Sequence, residues 1–559
     1  MTHPGEKFYP AGVHWDDPLP RGTLPDLLSA AAQEYGSRPA IEFRDRPISY
    51  AALEALVEIA AAAFLRAGYG KEKSVALFLG NTPDHPANFF GALKAGARIV
   101  HLSPLDGEIA LSHKLSDSGA RVLVTSNLSA LLPTALKFLD KGLLDRLIVC
   151  EDDDWGKVGT PQTALPDNPK IITYRQFTDG ATRPAQWPQI SADDVALLQY
   201  TGGTTGLPKG AMLSHGNLTS AVSVYDVWGK PARLERNAIE RVICVLPLFH
   251  IYALTVALLS SIRRGNLISL HQRFDVEAVM RDIEVKRATY FPGVPTMWIA
   301  IASLPDLDKR DLSSLVSVGS GGAPLPVEVA RILEQRVGMK LKSGWGMTET
   351  CSPGTAHPKE GPDKPGSIGL MLPGIEMDVV SLEDSKQVLP TGEVGEIRIR
   401  GPNVTKGYWN RPTETAEAFV GDRFLTGDIG YMDGDGYFYL VDRKKDMIIS
   451  GGFNVYPQMI EQAIYTHASV QEVIVIGIPD DYRGEAAKAF IKPRADAKPF
   501  TVDELRAFLA GKLGKHELPV ALEFVDELPR TPVGKLSRHE LRMQQAAPHK
   551  QQLASGGRP

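Results

Sequence analysis

Apolar residues along the chain fall into helically spaced stripes and short unbroken runs, and the alternation of the two predicts an α/β architecture. Thr23 precedes a helical pattern that begins Leu24-Pro25-Asp26-Leu27-Leu28, and Ser49 caps a longer amphipathic run that stops at Gly68. The run from Ser74 to Leu79 reads as a buried strand ending at Gly80-Asn81. A helical segment follows to about Lys94, and Ala97 to Leu102 is the next short strand. Strand, helix and strand in that order predict a mostly parallel sheet covered by helices. The polar, proline-bearing stretch from Glu151 to Pro188 reads as a surface excursion before a buried strand resumes at Val195. Val242 to Leu246 is a further buried strand, delivering Pro247-Leu248-Phe249-His250 to its end. Tyr290 to Thr296 and Gly319 to Leu325 are turn-rich segments at strand ends, the second leading into a helix near Pro326. Nearer the C-terminus the pattern is that of a compact α+β unit: a helix opening at Pro457, strands from Glu472 to Ile478 and Ala487 to Lys492, and a helix with a capping box at Thr501/Glu504.

Composition narrows the class. A chain of 559 residues exceeds what one hydrophobic core organises, so more than one domain is expected. With 43% hydrophobic and 23% charged residues it is an ordinary globular protein, and a net charge of −5 gives no reason to expect nucleic acid. Cys150, Cys244 and Cys351 lie far apart with no C-x-x-C pair. They fit a reducing compartment and supply neither a disulfide framework nor a zinc site. The polar start from Met1 to Pro20 does not read as a signal peptide, so a cytoplasmic location is expected. The longest apolar run, near Ala253 to Ile262, is about half the length of a bilayer span and ends at Arg263-Arg264, which leaves at most a peripheral membrane contact.

The chemistry concentrates in Tyr200-Thr201-Gly202-Gly203-Thr204-Thr205-Gly206-Leu207-Pro208-Lys209-Gly210. Glycines allow close backbone approach with inward N–H groups, and threonine hydroxyls and Lys209 add donors and a positive charge, a set suited to holding a polyphosphate. A flexible surface loop would account for the glycines but not for the Thr-Thr pair or the Pro-Lys-Gly ending. A Walker A loop has Gly immediately before its Lys and Ser/Thr after it; here Pro208 precedes and Gly210 follows Lys209, which removes the P-loop readings.

From Thr201 to Gly210 every position resembles the phosphate-binding signature of the adenylate-forming superfamily, which includes acyl-CoA synthetases, peptide-synthetase adenylation domains and luciferases. The resemblance covers about residues 24 to 541 and continues in ordered motifs. It implies a large N-terminal domain of layered α/β sheets with a distorted β-barrel (1–442) and a small mobile α+β domain (443–559), with a disordered tail from about residue 544. By the same resemblance Thr201, Gly202, Gly203, Thr204, Thr205, Gly206 and Lys209 bind the β/γ-phosphates of ATP. His250 is a catalytic candidate, because Pro247-Leu248-Phe249-His250 corresponds to the motif whose aromatic residue borders the carboxylate and the thiol tunnel. Gly322, Ala323 and Pro324 lie in the segment that walls the acyl pocket and touches the adenine. In Gly344-Trp345-Gly346-Met347-Thr348-Glu349, Trp345 and Gly346 face the purine, Thr348 offers a hydroxyl to the α-phosphate, and Glu349 is a hard oxygen ligand for Mg²⁺. Asp428, read as lying in a glycine-flanked turn, accepts from the ribose hydroxyls, and Arg443 joins it. Lys445 is the hinge, Gly451 and Gly452 border the pantetheine tunnel for CoA, and Lys535 in Pro529-Arg530-Thr531-Pro532-Val533-Gly534-Lys535 is the catalytic lysine.

Within the superfamily, residues 199–203, 442–448 and 452–457 look most like bacterial medium- and long-chain fatty acid:CoA ligases. A dicarboxylate ligase of the pimeloyl type is the alternative, and an aryl or 4-coumarate type stands behind it. The expected cofactors and co-substrates are ATP, Mg²⁺ and CoA, and the expected partner is a small-molecule carboxylic acid. Homodimers are common among similar enzymes.

Overall fold

The computed structural model describes residues 3–201, 207–230, 238–323, 325–362, 364–480, 482–495, 497–531, 536–543 and 545. Two large sheets and one small one organise them. The first runs in the order Ile171–Thr173, Arg146–Cys150, Val122–Ser126, Ser74–Phe78, Arg98–His101, Val195–Thr201, Lys209–Ser214, all parallel except the last hairpin. These strands are near-continuous apolar runs because both faces are covered. Helix Asp84–Lys94 is buried along its whole length and packs on helix Tyr50–Arg66. Gly91 permits the approach, since a Cβ there would stand 2.6 Å from that of Ala60. Phe89, Phe90 and Leu93 of this helix are fully buried, worth about 1.5–3 kcal/mol each.

The second sheet has a parallel and an antiparallel half. Lys342–Trp345, Ser317–Ser320, Tyr290–Gly293, Arg241–Cys244, Leu267–Leu270 and Pro39–Phe43 are parallel. From Lys342–Trp345 the other way, Thr355–Ala356, Ser367–Met371, Tyr437–Arg443, Arg423–Met432, Gly395–Arg400 and Glu376–Val380 are antiparallel. This half, expected as a distorted barrel, continues edge to edge from the parallel half. The small sheet holds Phe453–Val455, Ile448–Ser450, Gly484–Pro493, Val470–Asp480 and Ala521–Phe524, with helices Pro457–Tyr465 and Val502–Leu509 sharing its core.

The start signals act as read: Thr23, Ser49 and Thr501 each accept from a backbone N–H of the first turn, and Thr501/Glu504 form the capping box. Two expectations are corrected. The stretch from residue 151 to 188 is more than an excursion, for Ile171–Thr173 joins the first sheet as its edge strand and buried Asp152 pairs with Arg44 at 2.8 Å. Asp428 is not in a turn but inside strand Arg423–Met432, directly opposite Arg443. Gly427 takes a positive φ of 71° without ending the strand, because the ladder with strand Gly395–Arg400 absorbs the distortion as a register shift, Glu396 pairing Ile429 and Arg398 pairing Leu425. The tail beyond residue 545 lies outside the described residues.

Candidate active site

Strand Val195–Thr201 and strand Lys209–Ser214 form the two arms of the glycine/threonine segment, with Thr201 opposite Lys209. Gly202, Gly203, Thr204, Thr205 and Gly206 lie outside the described residues. The arms are fixed from below. Tyr200 donates its hydroxyl to Asp117 Oδ2 at 2.8 Å, and its ring covers Gly210, where a Cβ would come within 3.1 Å.

The Lys209 ammonium lies 5.3 Å above the ring of Tyr408, an arrangement in which the ring quadrupole attracts the cation. Tyr408 in turn donates its hydroxyl to Glu349 Oε1 at 2.9 Å. It is carried there by main-chain pairing with the cradle's second arm: Trp409 N–H donates to the Gly210 carbonyl (2.8 Å) and Met212 N–H to that of Gly407 (2.9 Å). Sequence reasoning missed Tyr408; the only signal was an aromatic pair after Gly407, which reads equally well as packing.

Glu349 sits in the single turn Thr348–Thr350 just after strand Lys342–Trp345. Thr348 opens that turn, and its carbonyl accepts from Cys351 N–H at 3.0 Å. The turn is tight: Cys351 and Ser352 have φ of 54° and 99°, and a Cβ on Gly346 would lie 1.3 Å from the Ser352 carbonyl oxygen, so no other residue fits there. Asn403, wholly buried and also unforeseen, holds it by donating to the carbonyls of Thr350 (2.7 Å) and Pro353 (2.8 Å). Glu349 is only 5% exposed. Burial pushes its carboxyl above the usual range, against the Tyr408 hydrogen bond and the more distant Arg443, which pull the other way.

Beside this group stands a second. Trp345 Nε1 donates to Asp428 Oδ2 at 2.7 Å, and Arg443 Nε lies 3.2 Å from Asp428 Oδ1. Asp428 raises the Arg443 guanidinium, whose side chain is about half exposed, and the charges of Asp428 and Glu349 both reach it. Nucleotide-site candidates far apart in sequence are therefore neighbours: Lys209, Trp345, Gly346, Glu349, Asp428 and Arg443.

The His250 loop is tied through Gln199 to strand Val195–Thr201, which leads into the cradle. His250 N–H donates to the Pro247 carbonyl at 2.9 Å, and its Nδ1 accepts from Tyr252 N–H at 3.3 Å. The ring of Tyr252 closes on the glycine segment: a Cβ on Gly321 would meet it at 2.9 Å. This tyrosine fills the space beside Gly321. Gly322 has a φ of 79°, Ala323 follows it, and Pro324 lies outside the described residues.

Gly451 and Gly452, with φ of 59° and 82°, make the turn between Ile448–Ser450 and Phe453–Val455, and open space surrounds both. Lys535 lies outside the described residues, but the base of its loop does not: Arg530 pairs with Leu536, and Ser537 N–H donates to the Pro529 carbonyl. Arg538 just beyond reaches Asp442 (3.1 Å), Asp446 (3.4 Å) and Glu461 (2.6 Å). Among the described residues no group of three or more His, Cys, Asp or Glu side chains could hold a metal ion, and no helix is long and apolar enough to cross a membrane.

The chain is similar to known proteins along most of its length. Residues 28–409 match the AMP-binding enzyme family and residues 459–535 the AMP-binding enzyme C-terminal domain. A long-chain-fatty-acid–CoA ligase of Bacillus subtilis (strain 168) is 37% identical over 533 residues, covering 92% of this chain and 93% of that protein. A feruloyl-CoA synthase of a Streptomyces species is 40% identical over 452 residues, covering 79% and 83%. Among solved structures, o-succinylbenzoate coenzyme A synthetase of Bacillus subtilis in complex with ATP and magnesium superposes with a TM-score of 0.78 at 28% identity, covering 92% of this chain and 99% of that one. With both the large and the small portion matched, the chain belongs to the AMP-binding enzyme family.

Proposed function

We propose that the protein is an ATP-dependent acyl-CoA synthetase that activates a medium- to long-chain carboxylic acid as acyl-AMP, releases pyrophosphate, and transfers the acyl group to CoA. The observation that carries this reading is the meeting of Lys209, Tyr408, Glu349, Arg443, Asp428 and Trp345 in one site. Likeness to a long-chain-fatty-acid ligase over 92% of the chain supports the substrate class.

In the first step a carboxylate oxygen attacks the α-phosphorus of ATP and the bond to the bridging oxygen breaks. No protein nucleophile is required; positioned charge and donors lower the barrier. Lys209 and the segment 201–206 hold the β/γ-phosphates, Thr348 offers its hydroxyl to the α-phosphate, and Asp428, oriented by Trp345 and Arg443, accepts from the ribose. Glu349 fits a Mg²⁺ ligand: a buried carboxylate whose ionisation is disfavoured by burial gains from a divalent cation. When bound, the ion supplies positive charge beside the departing pyrophosphate. The Lys535 ammonium adds charge at the reacting phosphate. In the second step the thiol sulfur of CoA attacks the acyl carbonyl carbon and AMP leaves.

We place the boundary between the two domains at 442/443, with Lys445 as hinge. The hinge at Lys445 is supported by the strands on either side of it: the last of the large sheet ends at Arg443, one residue past that boundary, and the first of the small sheet begins at Ile448. Rotation there withdraws Lys535 and brings Gly451 and Gly452 to the thiol entrance.

The deciding experiment is CoA-dependent AMP release across a chain-length series of monocarboxylic acids beside dicarboxylic and aromatic acids. Turnover that peaks on a medium or long saturated acid is expected. Turnover confined to aromatic acids would favour a second reading, an aryl-CoA ligase, for which the Tyr252 ring on the Gly321 wall offers a flat partner. A separate prediction concerns the ribose site. Trp345→Phe removes the indole N–H from Asp428 and is expected to raise KM for ATP by about tenfold or more with kcat largely kept, as for a hydrogen bond to a charged group. Initial rates against ATP at saturating acid check it, and an unchanged KM would detach Asp428 from nucleotide binding.

A further inference from the structure

The loop that carries His250 follows strand Arg241–Cys244 and has no ladder of its own, so its shape depends on side chains that reach it. Asn81 is one of them. It stands just past strand Ser74–Phe78 of the seven-stranded sheet, is 3% exposed, and crosses to the other large sheet. Its Nδ2 donates to the carbonyls of Leu246 and His271, each at 3.0 Å, with a longer contact to Val245 at 3.4 Å. Its Oδ1 accepts from Leu248 N–H at 2.8 Å. Only a carboxamide meets this set, because the site asks for donors and an acceptor from one short uncharged side chain.

A second carboxamide grips the next residue. Gln199 Nε2 donates to the Phe249 carbonyl at 2.9 Å, while its Oε1 lies 3.1 Å from His101 Nδ1. Gln199 belongs to strand Val195–Thr201, which ends at the phosphate cradle. The Leu246 carbonyl, the Leu248 N–H and the Phe249 carbonyl are thus held by two buried amides, and the second ties the loop to the nucleotide side.

We propose that Asn81 is a positioning residue for the carboxylate end of the acyl site, acting through the loop 246–249 and assisted by Gln199. The proposal rests on the reading of residues 247–250 as the border of the carboxylate and thiol sites. Asn81 touches no substrate; it sets where Phe249 and His250 present themselves. A buried staple with no such role would hold the same bonds, so the test separates binding of the acid from stability.

Acid-dependent ATP–pyrophosphate exchange is measured for the wild-type protein, Asn81→Asp, Asn81→Ala and Gln199→Met, with thermal melts alongside. For each variant KM for the carboxylic acid is expected to rise about tenfold while KM for ATP stays within about twofold, the scale of a displaced substrate-positioning group. Asn81→Asp should exceed Asn81→Ala, since its carboxylate turns an oxygen towards three carbonyls, whereas a packing role would make the truncation worse. If the Asn81 variants fail to fold, Gln199→Met decides. Acid-dependent exchange in the wild type, with the variants showing either unchanged KM values or both KM values rising together, would overturn the proposal alone. Absence of acid-dependent exchange in the wild type with every acid would overturn the functional reading, and the proposal with it.

Discussion

Lys535→Ala is expected to lower ATP–pyrophosphate exchange by about 10³-fold or more, at or above the cost of removing one preorganised donor from a charged transition state. Thioester formation from chemically supplied acyl-adenylate and CoA should stay close to the wild-type rate. The asymmetry follows from charge. Adenylation builds negative charge on the transferring phosphorus and on the pyrophosphate oxygens, where an ammonium stabilises the transition state more than the ground state. Thioester formation begins with pyrophosphate already gone and that phosphate joined to the acyl group as a mixed anhydride, and on the proposed rotation the lysine is by then withdrawn. Two assays decide it, isotope exchange for the first half-reaction and thioester release for the second. Equal loss in both would refute the two-conformation scheme.

Glu349→Gln should separate function from stability. Exchange is expected to fall by about 10²-fold, because the amide keeps an acceptor for the Tyr408 hydroxyl but offers a much poorer ligand to a divalent cation. The ligand-free variant should melt higher than the wild type near neutral pH. The sign follows from linkage. Burial raises the folded-state value of Glu349 above its unfolded value, so within that window the folded state binds more protons than the unfolded one, and stability falls as pH rises through it. The deficit persists at higher pH and vanishes below the unfolded value of about 4. The uncharged amide carries no such penalty. Melting curves of both proteins from acid to neutral pH check this, and a variant that melts lower throughout would show that the carboxylate stabilises the fold.

Much of this organisation is legible along the chain. The strands at residues 74, 97, 195 and 242 announce themselves because a parallel sheet covered on both faces leaves no polar position to interrupt them. The caps at Thr23, Ser49 and Thr501 are equally local, since a hydroxyl reaches N–H groups only three residues on. The Gly-Thr cradle stands out because its composition makes no sense as packing. Misreadings arise where a local signal competes with a distant partner. Asp428 sits after a glycine in left-handed conformation, which looks like a turn until the strand ending at Arg443 pairs with it across the sheet. Ile171–Thr173 is too short and too polar in its surroundings to be seen as a strand, and becomes one because the neighbouring edge has free backbone groups.

Residue types and their order along the polypeptide therefore carried the family, the layered α/β class and nearly every candidate for the chemistry, because backbone geometry and phosphate recognition demand particular residues at short spacing. Folding alone revealed how those candidates are held. Tyr408 lies between Lys209 and Glu349, Trp345 orients Asp428, Asn403 braces the strained turn, and Asn81 spans two sheets to the His250 loop. Each of these contacts joins residues separated by dozens to hundreds of positions. No periodicity encodes such pairs; they exist because burial brings polar groups together and each must then find a partner.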